Sequence, residues 1–363
     1  MSFAHRKFLI SVSETMVKRM NLTTLITGLF LLAAATQTVA DVDPLFASHD
    51  ILDVEIDGPF AMLADERPNE EESAGKFRYS AEDGTLVEFD VAVRTRGRLR
   101  RGKETCTFPP LRLNFKKSQT KDTLFDKQDK VKLVTHCRNK ARRYEQAVIA
   151  EYLTYRIFGL LTDRSFNVRL LRVNYVPTDK GRDMDSYAIL IESKDRLQKR
   201  LDAKPMIIDK VPVSTILPED LNLASVFQYF IGNTDFSPVQ TAPDEDCCHN
   251  QVLFVREGEL SYTVPYDFDQ SGLVDAPHAF PNPRFRLKSA RERLYRGRCV
   301  NNEHLPATLA LFRERRTDIE KLIQHQPGLD KATARSMLEF VEGFYDTIDS
   351  PKRLQNSIVE KCL

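Results

Sequence analysis

A chain of 363 residues is long enough for one large domain or two small ones. Charged residues make up 29% and the apolar set 42%, an ordinary globular composition that excludes a chain disordered throughout or a multi-span membrane protein. Lys and Arg number 53 against 52 Asp and Glu, so the formal charge is +1 and the basic excess of a nucleic-acid-wrapping protein is missing.

Residues 1–40 read as a secretory signal. Arg6, Lys7, Lys18 and Arg19 precede an apolar run over 22–35, and Thr38-Val39-Ala40 offers small residues for cleavage after Ala40. The run is shorter than the about 20 residues of a membrane span. The expectation is a secreted or periplasmic protein with no stable membrane span once the signal is cleaved, and an uncleaved anchor is the alternative. Six cysteines fit export, where disulfides persist. No CxxC pair exists, which disfavours a zinc ribbon. Cys106 with Cys137 is the expected pairing in the first half, and the adjacent Cys247 and Cys248 are expected to be oxidised rather than to hold a metal.

Residues 41–193 read as mostly strand. Glu82-Asp83-Gly84-Thr85 is a hairpin turn signal, followed by the alternation of Val87, Phe89, Val91 and Val93 with polar or small neighbours. Further strands are expected over 111–115, 131–135, 166–176 and 187–191. Between them a helix is expected over 142–161, its stripe running Tyr144, Val148, Glu151, Tyr155, Phe158. A carboxylate in that line either has a cationic partner or lies at the stripe edge and reaches solvent. Residues 194–363 read as mostly helix, with helices over 218–230, 305–325, 330–347 and 351–362 and one hairpin over 252–264.

The chemistry-bearing stretch is 231–272. Asp235 follows a helix and a Gly-Asn turn, Asn250 comes 15 residues later, and Asp267 and Asp269 leave the second strand of the hairpin. A carboxylate to orient a hydroxyl, with an amide and a second carboxylate to hold Mg²⁺ against phosphates, is what phosphoryl transfer needs. The same residues read singly are ordinary turn residues. The basic run from Arg284 to Arg298 is either a surface for an acidic partner or a salt-bridged face.

Gly-Asn-Thr-Asp, a later Asn and the Tyr-Asp-Phe-Asp end resemble the spore coat protein H (CotH) kinase family and, more distantly, the HipA-type kinases. Arg94-Thr95-Arg96-Gly97-Arg98 and Pro109-Pro110-Leu111-Arg112-Leu113-Asn114-Phe115 resemble two segments of its first half. The likeness runs from about residue 90 to 275. It departs where Arg98-Leu99-Arg100-Arg101 follows the Arg-Gly, and where Pro110-Leu111 replaces a Lys-Lys.

The resemblance implies an α+β, bilobal, atypical protein-kinase-like fold, with a strand-rich N-lobe over 41–193 and a helical C-lobe over 194–363. It implies an exported kinase that transfers the γ-phosphoryl of ATP, with Mg²⁺ or Mn²⁺, to a Ser or Thr hydroxyl of a protein substrate. The alternative is a catalytically inactive, kinase-shaped binding or structural protein of the envelope. Asp235 is then the catalytic carboxylate, and Asn250, Asp267 and Asp269 are metal ligands. The nucleotide contacts are Glu151, Glu192 and a phosphate-reading cation left open between Arg112 and Lys132, with Arg96 and Arg98 behind them. Nucleic acid is not an expected partner.

Overall fold

In the computed structural model, which describes residues 43–241 and 247–363, seven strands close into a barrel. They are β1 (Leu52–Gly58), β2 (Ser73–Ser80), β3 (Leu86–Thr95), β4 (Leu111–Phe115), β5 (Lys130–Val134), β6 (Val168–Pro177) and β7 (Met184–Ile191). Their order around the barrel is β1-β2-β3-β4-β5-β7-β6. Neighbours are antiparallel except at the seam, where β1 runs parallel to β6 from Leu52 opposite Leu171 to Gly58 opposite Pro177. Closure pairs both edges of the sheet and removes the open edge that would otherwise invite a second chain.

The alternation read along β3 is the barrel's design rule. Phe89, Val91 and Val93 turn inward and join Phe77, Leu113, Val131, Leu133, Val173 and Leu190 in one buried core. Phe125 plugs one end, its ring centroid 4.8 Å from Phe77 and 5.2 Å from Phe115. Stacks of this kind add about 0.5–1.5 kcal/mol per pair beyond burial. Phe60, Phe108, His136 and Tyr175 fill the other end.

Three short helices, α1 (Pro44–Ala47), α2 (Phe60–Glu66) and α3 (Lys117–Thr120), decorate the barrel. The long helix α4 (Arg142–Leu161) has the bounds expected from its sequence and packs on β6, β7 and the helical half. It is buried almost all round, as a helix wedged between two cores must be. Beyond the barrel come α5 (Lys194–Arg200), α6 (Pro218–Phe230), α7 (Leu305–Gln324), α8 (Lys331–Ile348) and α9 (Pro351–Ser357). A small sheet of β8 (Lys204–Pro205), β9 (Gln251–Val255) and β10 (Tyr262–Pro265) lies among them.

The expected bilobal kinase-like fold is therefore corrected. The first half closes on itself through the β1–β6 seam instead of presenting the open sheet of a kinase lobe, and the helices form a separate region. The strand reading overlooked β1 and β2, without which no closure could be drawn. The signal segment lies outside the described residues. No helix among the described residues is long and apolar enough to cross a membrane.

Three disulfides join Cys106 to Cys137, Cys247 to Cys248 and Cys299 to Cys362, so the first-half pairing and the oxidised adjacent pair are as expected. The basic run divides: Arg284, Arg286 and Lys288 are exposed, whereas Arg293 and Arg296 are internal scaffolding. Arg293 donates to the Tyr229 and Phe230 carbonyls at the end of α6, and Arg296 to the Thr234 and Phe236 carbonyls. Such cations satisfy carbonyls that a helix end leaves unpaired. Gly232 then turns the chain at φ +64, where a Cβ would stand 2.7 Å from the Phe340 ring. Gly232→Ala is expected to cost about 2 kcal/mol in a urea melt, from left-handed strain plus the clash. A loss under about 0.5 kcal/mol would show that Phe340 gives way freely.

Candidate functional site

The barrel wall facing the helical half carries a row of cations. Strand register sets Arg94 opposite Arg112 and Arg112 opposite Lys132, all on the outward face because Val93, Leu113 and Leu133 point in. Arg96, two residues beyond Arg94, extends the row, and Lys194 at the start of α5 comes in beside it. Lys132 Nζ lies 4.9 Å and Lys194 Nζ 5.9 Å from the centre of the Tyr266 ring. Arg96, Arg98, Lys132 and Lys194 form one side of a cleft of about 550 Å³.

The opposite side is acidic and carefully held. Asn233 Oδ1 accepts from the Asp235 N–H, an Asx turn that follows from the Gly232 bend. His249 Nε2 stands 2.8 Å from Asp235 Oδ1, and Asn250 donates its Nδ2 to Asp235 Oδ2 at 3.0 Å and to the Asp235 carbonyl at 2.7 Å. The hydrogen bond to Asp235 raises the His249 pKa. Asp267 leaves β10 at φ 61, with its N–H donated to the Tyr155 hydroxyl at 2.8 Å. Its side chain is 39% exposed and reaches the cleft.

Arg100, 8% exposed, forms the floor. It meets Glu151 Oε2 and Asp267 Oδ1 at 3.3 Å and Asp269 Oδ2 at 3.2 Å. Asp269 also pairs with His278 at 2.8 Å. Burial pushes the Glu151 carboxyl up to about 8 against the pull of Arg100. Asp269 is held well below the carboxylate range by Arg100 and then His278, which together outweigh its burial. On the cationic side burial lowers Arg96, and burial followed by Arg96, Lys194 and Arg112 brings the Lys132 amine down to about 7, with Asp267 pulling the other way.

The fold thus brings Arg96, Arg98, Lys132, Asp235, Asn250, Asp267 and Asp269 to one cleft, with Glu151 directly behind it through Arg100. Arg112 stands one register step along the wall. Glu192 belongs elsewhere: it is buried against Arg200 and accepts from the Asn167 N–H. Sequence reasoning passed over Arg100, Lys194 and His278. The Glu151 stripe left a cationic partner or a reach to solvent open, and the partner, Arg100, sits in a short 3-10 turn, Leu99–Arg101, with no periodicity to mark it.

A self-standing divalent metal site does not fit these residues. Asp267 and Asp269 face Arg100, and Asp269 is also closed off by His278. Among the described residues no group of three or more His, Cys, Asp or Glu side chains is placed to hold a metal ion. The expected kinase, its inactive kinase-shaped alternative and the terms that go with them (transferase, ATP-binding, magnesium) are overturned by the closed barrel and by this donor set. No protein-family model matches the chain, and no curated protein matches it either, so the resemblance to the CotH and HipA-type kinases falls with them.

Proposed function

We propose that the cleft is a binding site for a small polyanion carrying phosphate-like groups, in a protein that works in an oxidising compartment, secreted or periplasmic. One observation carries the reading: Arg96, Lys132 and Lys194 crowd together on one wall, and no carboxylate lies within ion-pair reach of any of them among the described residues. Half-desolvated cations held against their mutual repulsion need an anion to offset the cost. Arginine suits a tetrahedral oxyanion because its planar fork donates two parallel hydrogen bonds. The Asp235–His249 pair across the cleft supplies a hydrogen-bonding end for a hydroxyl or amine of the same ligand. The three disulfides support the compartment.

Isothermal titration calorimetry with inorganic tripolyphosphate tests the reading. Binding is expected to weaken about tenfold or more in each of Arg96→Glu and Lys194→Glu, the equivalent of about 1.4 kcal/mol. The pH dependence has a fixed sign. The free Lys132 amine has lost most of its charge above about pH 7, while the anion-bound amine retains it, so the complex holds more protons. The Kd should rise roughly tenfold from about pH 6 to about pH 9. ATP carries the same triphosphate, and parallel titrations with and without Mg²⁺ or Mn²⁺ separate recognition of the phosphates from recognition of the nucleoside or of a counter-ion. No heat at millimolar ligand, or equal affinity in both variants, would remove the proposal.

A further inference from the structure

We propose that Lys132 is a nucleophilic amine, a covalent modification site for carbonyl compounds that carry an anionic group, such as phosphorylated or carboxylated aldehydes. The inference takes its selectivity, though not its reactivity, from the anion-binding reading above. Lys132 projects from β5 into the cleft, over the Tyr266 ring and beside Arg112 on the neighbouring strand. Arg96 from the end of β3 and Lys194 from α5 face it, and Asp267 pulls the other way. No ion pair or hydrogen bond ties down its Nζ among the described residues. A lysine desolvated beside other cations keeps its lone pair at neutral pH, which is how amines become nucleophiles in proteins. The same geometry brings the amine to about 7.

The cleft is open and has room for a small molecule, within the usual range for ligand sites. Arg96 and Lys194 would hold the anionic group while the carbonyl carbon meets Nζ. The nitrogen lone pair forms the C–N bond as the carbonyl π electrons move to oxygen. That oxygen takes a proton from the nitrogen through solvent, and loss of one water leaves the imine. No oxidant or reductant is consumed.

Pyridoxal 5′-phosphate and pyridoxal, the same aldehyde with and without the phosphate, are the probes. The full-length protein is incubated with each, the imine is trapped with borohydride, and labelled peptides are mapped by mass spectrometry. Lys132 is expected to be labelled about tenfold faster than any other lysine by the phosphorylated aldehyde. At subsaturating aldehyde, where the rate follows the free protein, it should be half-maximal near pH 7, and labelling at this position should disappear in Lys132→Arg. Pyridoxal should label it about tenfold more slowly, and tripolyphosphate should protect it. Equal labelling of Lys132 and surface lysines, or a rate still climbing above about pH 9 as an ordinary lysine's would, overturns the inference even if tripolyphosphate binds. Fast labelling by both probes with no protection leaves the reactive amine standing and removes the anion reading instead.

Discussion

Replacing Arg100 by methionine is expected to lower the unfolding free energy by about 3–5 kcal/mol, the range for stranding buried charge by deleting its partner. Arg100 sits among Glu151, Asp267 and Asp269, each within 3.3 Å of one of its nitrogens. Asp267 can turn to solvent and Glu151, its carboxyl already pushed up to about 8, can stay protonated, but Asp269 is 8% exposed and is left with His278 alone in a place that water does not reach. Urea denaturation of Arg100→Met against the parent chain measures the loss, and a change below about 1 kcal/mol would mean that the cluster is hydrated.

The double variant Arg100→Met/Asp269→Asn separates charge from packing: removing the stranded charge should restore part of the loss, a coupling of about 1–3 kcal/mol. The pH dependence of Glu151→Gln alone gives an independent check. The folded-state pKa of Glu151 is raised from 4.5 to about 8, so its stabilising contribution is complete below about pH 4.5 and is lost as pH rises through 8. The amide has nothing to ionise. Its stability relative to the parent should therefore improve between about pH 4.5 and about pH 8.

What could be read from sequence was whatever has a local period. Helix α4 was legible because its stripe repeats within 20 residues, and β3 because Val87 to Val93 alternate on a two-residue period. Strand β1 carries the same alternation in Val54 and Ile56, but β2 offers only Phe77 and Tyr79 among polar residues. The seam between β1 and β6 spans more than a hundred residues and has no local signature, so an open kinase-like lobe was expected where a barrel exists. The cleft shows the same division. Asp235, Asn250 and Asp267 announced themselves by their turns, and the structure does gather them. Their partners did not: Arg100, His249 and His278 take their meaning from neighbours 51, 14 and 9 residues away. Reading the acids without those partners turned a set of arginine- and histidine-paired carboxylates into an expected metal site.

The Cys106–Cys137 disulfide is expected to link stability to the cleft in a way that the Cys299–Cys362 disulfide does not. Cys106 ends the 96–106 stretch that carries Arg96, Arg98 and Arg100, and Cys137 follows β5, the strand of Lys132. The bond spans 31 residues, and closing a loop of that length stabilises by about 3–4 kcal/mol on the chain-entropy account. The arginine-bearing loop has other ties: Arg67 donates to the Arg101 and Cys106 carbonyls, Arg138 to the Glu104 and Thr105 carbonyls, and the Phe108 N–H to the Cys137 carbonyl. These should let Cys106→Ser/Cys137→Ser fold at low temperature while losing most of the 3–4 kcal/mol, about 1.5 °C of melting temperature per kcal/mol in a chain of this size. Cys299→Ser/Cys362→Ser is the control, because its 63-residue loop is worth about 4 kcal/mol yet lies among the C-terminal helices. Differential scanning calorimetry should show comparable losses for the two pairs. Tripolyphosphate titration should separate them: an affinity drop of several-fold for the Cys106/Cys137 pair alone, because only that loop positions the cleft's arginines. Equal affinity in both double variants would mean that Arg67 and Arg138 hold the loop unaided, and that the disulfide serves the barrel rather than the site.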